Sequence, residues 1–149
     1  MNAEVPITQA AAIPIRIRNG AVECCLITSS TQPAIWTLPK GTIEPGDTPE
    51  TTAIKEAEEE AGLVGRIPGE SLGAFTYQKN GNTLRVTVFV MEVDKVKGSW
   101  DESHIRKRQW VSSTEVLQIL EQHPVLPILK KAMIVAENVA MMGNFFDRR

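Results

Sequence analysis

Glu56, Glu59 and Glu60 stand at i, i+3 and i+4 in this chain. On a helix, about 100° per residue puts all three within one narrow arc, and Glu58 points away from them. Like charges at these spacings repel by roughly a few tenths of a kcal/mol per pair. A divalent cation reverses the sign of that term. Carboxylate oxygens are the ligands that hard Mg²⁺ or Mn²⁺ prefers. The other reading of an acidic helix is a solvated face. The context favours the first: Gly41 precedes the triplet, and Gly62-Leu63 follows it directly.

The elements that must position these carboxylates are legible around them. Asp47 or Thr48 caps the helix, Pro49 suits its first turn, and Glu50 lies three residues after Asp47. The helix runs to about Ala61, where Gly62 stops it. Lys40 to Asp47 reads as a loop. Upstream, Ile13, Ile15 and Ile17 alternate with Pro14, Arg16 and Arg18, a strand over Ala11 to Arg18. Asn19-Gly20 is a hairpin signal leading to a strand over Ala21 to Thr28. Ile35 to Leu38 is a short extended piece. Downstream, Arg66 to Tyr77 and Thr83 to Val93 read as strands joined at Lys79-Asn80-Gly81. Asp94 to Arg106 reads as a polar loop, and Lys107 to Val111 as a short strand. Ser112 or Ser113 caps a helix to about Glu121. A last helix follows Pro124, with Val125, Ile128, Leu129, Ala132, Val135, Ala136 and Val139 on one face. The tail from Gly143 reads as loose. Strands first, one interrupting helix and closing helices predict an α/β or α+β fold with a mixed sheet between helices.

The chain has 149 residues, 42% hydrophobic and 23% charged, a size and balance suited to one soluble globular domain. That composition excludes disordered, collagen-like and disulfide-scaffold classes. The formal net charge of −2 argues against bulk-charge binding of duplex nucleic acid. Cys24 and Cys25 are adjacent within an apolar run and read as buried strand thiols, which fits a reducing compartment. Met1 to Ala12 shows no targeting pattern, and no stretch is apolar for long enough to span a membrane. The expected location is cytoplasmic.

Gly41-Thr42-Ile43-Glu44-Pro45-Gly46-Asp47, followed by Lys55-Glu56-Ala57-Glu58-Glu59-Glu60-Ala61-Gly62-Leu63, closely resembles the Nudix box, G-x(5)-E-x(7)-R-E-U-x-E-E-x-G-U with U a bulky apolar residue. Gly41, Glu56, Glu59, Glu60, Gly62 and Leu63 match at the required spacing. The five Gly and Glu matches would arise by chance about once per million windows, so the signal is specific. Asp47 replaces Glu, Lys55 replaces Arg, and Ala57 is small for its position. The first two positions resemble a salt-bridged pair supporting the catalytic loop. A shorter acid facing a point-charge amine gives up bidentate geometry, so a looser loop and lower activity are expected.

The resemblance implies one Nudix domain over residues 1–149, with an ordered core over about 8–142 and an α/β/α sandwich carrying a catalytic loop-helix. It implies a pyrophosphohydrolase using Mg²⁺ or Mn²⁺, held by Glu56, Glu59 and Glu60. Asp47 and Lys55 would support the loop, and either one of the box carboxylates or Asp101 or Glu102 in the later loop would deprotonate the attacking water. Trp36-Thr37-Leu38-Pro39-Lys40-Gly41 is similar to the W-x-x-P-x-G entry of several branches. Trp100-Asp101-Glu102-Ser103, Arg106 to Val111, Val116 to Leu120 and His123-Pro124-Val125 resemble the diphosphoinositol polyphosphate phosphohydrolase branch, which also hydrolyses diadenosine polyphosphates.

A polyphosphorylated substrate calls for local positive charge. Lys40, Gly41, Arg16, Arg18, Arg85 and Arg106 form the expected substrate-contacting set, with Lys107 and Arg108 nearby in sequence. For each cation the alternative is an ordinary solvated residue. Trp100 and Trp110 read as packing residues. Phe75 and Tyr77 read as core or as base-stacking aromatics, His123 as shaping a helix junction, and His104 as a loop residue. The expected activity is cleavage of phosphoanhydride bonds in a dinucleoside polyphosphate or diphosphoinositol polyphosphate, by a monomer or homodimer. The alternatives are a nucleoside triphosphate or RNA 5′-end pyrophosphohydrolase, a non-catalytic nucleotide-sensing module, and a protein whose acidic helix merely aids solubility.

Overall fold

The computed structural model describes the backbone of residues 5–146 and the side chains of residues 5–142. Asn19 and Gly20 both take positive φ, 52° and 78°, as a type I′ hairpin turn requires. They join β1 (Ile7–Arg18) to β2 (Ala21–Thr28) in antiparallel register, Ile17 opposite Val22. Asn80 and Gly81 repeat this conformation between β6 (Gly73–Lys79) and β7 (Asn82–Val96). The remaining strands are β3 (Trp36–Thr37), β4 (Lys40–Thr42), β5 (Leu63–Arg66) and β8 (Arg108–Ser112). The helices are α1 (Pro49–Ala61), α2 (Ser113–Ile119) and α3 (Leu126–Phe146). β1 runs parallel to β7 and antiparallel to β2 and β4, so the sheet is mixed, with backbone order β3-β2-β1-β7-β5.

Alternation along the strands sorts the core into two layers. Ala10, Ala12, Cys25, Ile27, Phe89 and Met91 face α1 and pack with its Ala53, Ala57 and Ala61. Ala11, Ile13, Ile15, Cys24, Leu26, Val86 and Val88 face the other way and pack with Val116 of α2 and with Leu129, Ala132 and Met133 of α3. This is the expected α/β/α arrangement. Ala57 is fully buried, and its small side chain lets the acidic helix lie close on a strand that is itself alanine-rich here. Both cysteines are free and buried, and burial pushes both thiols up, Cys25 to about 12. They are inert core residues.

Several boundaries differ from the sequence expectation. Lys40–Thr42 is a strand rather than loop, because it pairs with Gln9–Ala11 of β1. β1 itself begins at Ile7, drawn out by parallel pairing from Ile7 opposite Leu84. The expected strand Arg66 to Tyr77 is two strands, and Pro68, which has no N–H for a ladder, lies in the break. β7 continues to Val96 opposite Leu63, so the polar loop starts three residues later than expected. On α3, Val135 and Val139 are half exposed, whereas Met133 and Ala140 are buried. The apolar stripe is wider than the sheet it meets. The helix continues through Gly143 to Phe146, where a loose tail was expected, and residues 147–149 lie outside the described residues. Among the described residues, no helix is long and apolar enough to cross a membrane.

Candidate active site

The acidic helix is held at both ends. Thr48 is its N-cap: the Thr51 backbone N–H donates to the Thr48 hydroxyl at 3.1 Å, and the Thr48 N–H donates to the Thr51 hydroxyl at 3.0 Å. Pro49 follows at the first helical position. Asp47 lies before the cap and meets Lys55 at only 3.9 Å, both side chains being largely exposed. An exposed contact of that length contributes little to stability. At the other end Gly62 adopts φ +68° and its N–H caps the Ala57 and Glu58 carbonyls.

Between these ends, Glu56 and Glu60 converge one turn apart and share a hydrogen bond between their carboxyl groups. Glu60 is 6% exposed. Burial pushes its carboxyl up to about 8, helped by the hydrogen bond and the charge of Glu56 and opposed by Arg106 and the Lys40 N–H. Burial also raises Glu56, with Glu59 and Glu102 adding repulsion. The Lys40 backbone N–H donates to Glu60 Oε1 at 3.2 Å, and Arg106 Nη2 approaches Glu60 Oε2 at 3.7 Å. Gly41 gives the Glu56 carboxyl its space, since a Cβ there would lie 2.5 Å from the Glu56 Cδ. Among the described residues no three acidic, histidine or cysteine side chains already close into a metal cage. The Glu56–Glu60 pair nevertheless fits a divalent cation. Buried Glu60 and half-buried Glu56, sharing a proton, are a site whose repulsion a hard cation relieves in the proton's place, and Glu59 is close enough to act on Glu56 through its charge.

The later loop reaches this pair. Glu102 accepts from Arg106 Nε at 2.7 Å, and Arg106 Nη1 donates to the Thr28 carbonyl at 3.0 Å. Lys40 extends the other way, its Nζ 5.4 Å from the centre of the Tyr77 ring, and burial makes it a weaker base than usual, opposed by the charge of Glu60 and reinforced by that of Arg106. A cavity of about 490 Å³ opens there, lined by Lys40, Tyr77, Ile35, Gln32, Lys79 and His123 among others. His123 Nδ1 accepts the Val125 N–H at 3.0 Å, the helix-junction role expected of it, and also faces the cavity. Ile35, Gln32 and Lys79 were not legible as site residues: the first two come from the β2–β3 loop and Lys79 from the end of β6, segments far apart in sequence that only the fold brings together.

The other cations lie elsewhere. Arg16 pairs with Glu23 at 2.7 Å and stacks 3.8 Å over Trp110. It is five residues along β1 from Ala11, roughly 17 Å from the box. Arg18 lies farther still, opposite Ala21 at the hairpin. The structure brings neither to the acidic helix. Arg85 is exposed on β7 opposite Thr8, at the same end of the sheet as the box but without an ion-pair partner among the described residues. Arg108 turns inward, stacking 4.1 Å over Trp100 and donating to the Ala61 carbonyl at 2.8 Å. Asp101 and His104 are exposed.

Comparison with known proteins gives the chain's family and fold. The NUDIX domain family model matches residues 7–132. The chain is 35% identical over 103 residues to diphosphoinositol polyphosphate phosphohydrolase 3-alpha of Mus musculus, covering 68% of this chain and 62% of that protein. It is also 35% identical over 103 residues to human diphosphoinositol polyphosphate phosphohydrolase 2, covering 68% and 56%. The chain thus spans less than two thirds of the length of these relatives. Among solved structures, a C. elegans Ap4A hydrolase binary complex superposes with a TM-score of 0.75 at 23% identity, covering 89% of this chain and 98% of that one, a likeness of fold. With the box at its required spacing and a family match across most of its length, this chain belongs to the Nudix family.

Proposed function

We propose that the protein is a Mg²⁺- or Mn²⁺-dependent hydrolase of phosphoanhydride bonds in a dinucleoside polyphosphate, with diphosphoinositol polyphosphate as the related alternative. The Glu56–Glu60 pair, with Glu60 buried and flanked by Lys40 and Arg106, is the observation that carries this reading. Glu56, Glu59 and Glu60 would hold the metal, which when bound neutralises phosphate charge and lowers the pKa of water. The chain's own residues supply positioning. Lys40 sits between the acidic pair and the cavity, where its ammonium can meet a phosphate chain that bare carboxylates would repel. Arg106 is held by Thr28, Glu102 and Glu60, so its charge is fixed at the pair. Glu102 stands in the same network as the candidate acceptor for the water's proton. Asp47 and Lys55 brace the loop only loosely.

The cavity favours a nucleotide. Tyr77 offers an aromatic face and Ile35 an apolar edge, and Lys40 and Lys79 are the lysines in its lining. An inositol polyphosphate needs more cations than that, and Arg16 and Arg18 are too far away to add theirs. The test is hydrolysis of a panel with Mg²⁺ and Mn²⁺: diadenosine tetra- to hexaphosphate, diphosphoinositol polyphosphate, nucleoside triphosphates and 5′-triphosphorylated RNA. Preference for diadenosine polyphosphates supports the reading. Preference for another substrate rejects that class and keeps the metal chemistry.

A further inference from the structure

The last four carbonyls of an α-helix have no partner within the helix. In α1, the Gly62 N–H takes the Ala57 and Glu58 carbonyls, so the next four along the chain need donors from elsewhere. All four are supplied by one segment, residues 97–108. Glu102 N–H donates to the Glu59 carbonyl at 3.1 Å. Trp100 Nε1 donates to the Glu60 carbonyl at 2.9 Å. Arg108 Nη1 donates to the Ala61 carbonyl at 2.8 Å, and Lys97 N–H to the Gly62 carbonyl at 2.8 Å. Arg108 also bonds the Lys97 carbonyl through Nη2 and lies over the Trp100 ring, tying both ends of the segment to its middle. Lys97 Nζ adds a contact to Glu58 Oε2 at 2.5 Å.

Gly62 makes room for this closure. A Cβ there would lie 2.8 Å from Arg108 Nη1 and 2.9 Å from Trp100 Cβ. Two of the bonded carbonyls belong to Glu59 and Glu60, whose side chains are in the acidic arc, and the Ala61 carbonyl held by Arg108 is the next in the same turn, so whatever holds this turn sets where the carboxylates project. The same segment delivers Arg106 to Glu60, with Glu102 paired to that arginine.

We propose that Trp100 and Arg108 are positioning residues: they clamp the C-terminal turn of the acidic helix and thereby set the spacing of the Glu56, Glu59 and Glu60 carboxylates for a divalent cation. The inference rests on the metal reading given under Proposed function. Trp100→Phe keeps a ring beneath Arg108 but removes the donor to Glu60. Arg108→Lys keeps the charge but cannot bridge the Ala61 and Lys97 carbonyls. Both variants weaken Mn²⁺ binding, read by calorimetry without substrate, about tenfold, the usual scale for groups that orient metal ligands. They lower kcat by a similar factor and leave KM within about twofold. Met133→Ala, which opens the core on the opposite face of the sheet, shows what lost stability alone does, and it leaves Mn²⁺ affinity unchanged.

The clamp is overturned if Trp100→Phe and Arg108→Lys bind Mn²⁺ like the wild type, or if Met133→Ala weakens binding as much. A wild-type protein that binds no Mn²⁺ overturns the metal reading and this inference with it. A wild type that binds, with unaffected clamp variants, removes the inference alone.

Discussion

Glu60 reaches back from the last turn of its helix to accept the Lys40 backbone N–H at 3.2 Å. One bond thus ties the acidic helix to the strand that opens the box. Lys40 N–H is fixed because β4 pairs with β1, so the position of the carboxyl depends on the sheet as much as on the helix.

Gly41 is the residue that permits this closeness. Gly41→Ala drives a methyl to 2.5 Å from Glu56 Cδ, at a backbone conformation any residue can adopt. The expected result is a folded protein with kcat lowered at least about tenfold and weaker Mg²⁺ dependence, read by circular dichroism alongside a turnover assay. Wild-type kinetics would mean that Glu56 is free to move aside.

The acid pair makes metal-free stability depend on pH. The folded Glu60 carboxyl titrates near 8, against about 4.5 for the free group. Between those values the unfolded chain loses a proton that the folded chain keeps, so stability falls as pH rises through that window and levels off above about 8. Thermal melts in a chelator should show Tm decreasing from pH 5 to pH 8. Added Mg²⁺ should recover more stability at pH 8 than at pH 6, because no proton then has to be displaced. A flat profile in chelator would contradict the shared-proton arrangement.

Thr52, on the buried face of α1, carries the one buried side-chain polar atom without a partner among the described residues. Thr52→Val keeps the shape and removes that unsatisfied group. It should stabilise the protein by about 1 kcal/mol and leave kcat unchanged, checked by denaturant unfolding. Destabilisation of similar size would reveal a partner for the hydroxyl.

The brace at Asp47 and Lys55 is long and exposed. The double change Asp47→Glu with Lys55→Arg supplies reach and a planar fork. Activity should rise about two- to fivefold while Tm moves little, since an exposed ion pair contributes under about 1 kcal/mol. No gain in activity would show that the loop is already held by β4.

What could be read from the residues was mainly local. The i, i+3, i+4 acids, the Thr48 cap, the Gly62 stop and both Asn-Gly turns each depend on neighbours within a turn or two, and the structure has them where expected. What could not be read depends on distant partners. Three residues of β4 have no periodicity of their own and become a strand only against β1. Arg16 was expected to contact substrate, but Glu23 and Trp110, approaching from other strands, take its side chain. Trp100 was read as packing, and nothing along the chain signals that its N–H meets Glu60. The break within the expected strand over Arg66 to Tyr77 did carry a local signal, Pro68-Gly69.

Hydrolysis of diadenosine tetraphosphate by the wild type and by Glu60→Gln, with Mg²⁺ or with chelator, tests whether the acidic pair is a metal-dependent hydrolytic site. Turnover should need Mg²⁺ and fall about a hundredfold or more in Glu60→Gln, whose amide keeps the shape but loses the charge. Turnover that persists in chelator, or that the substitution leaves intact, would contradict it.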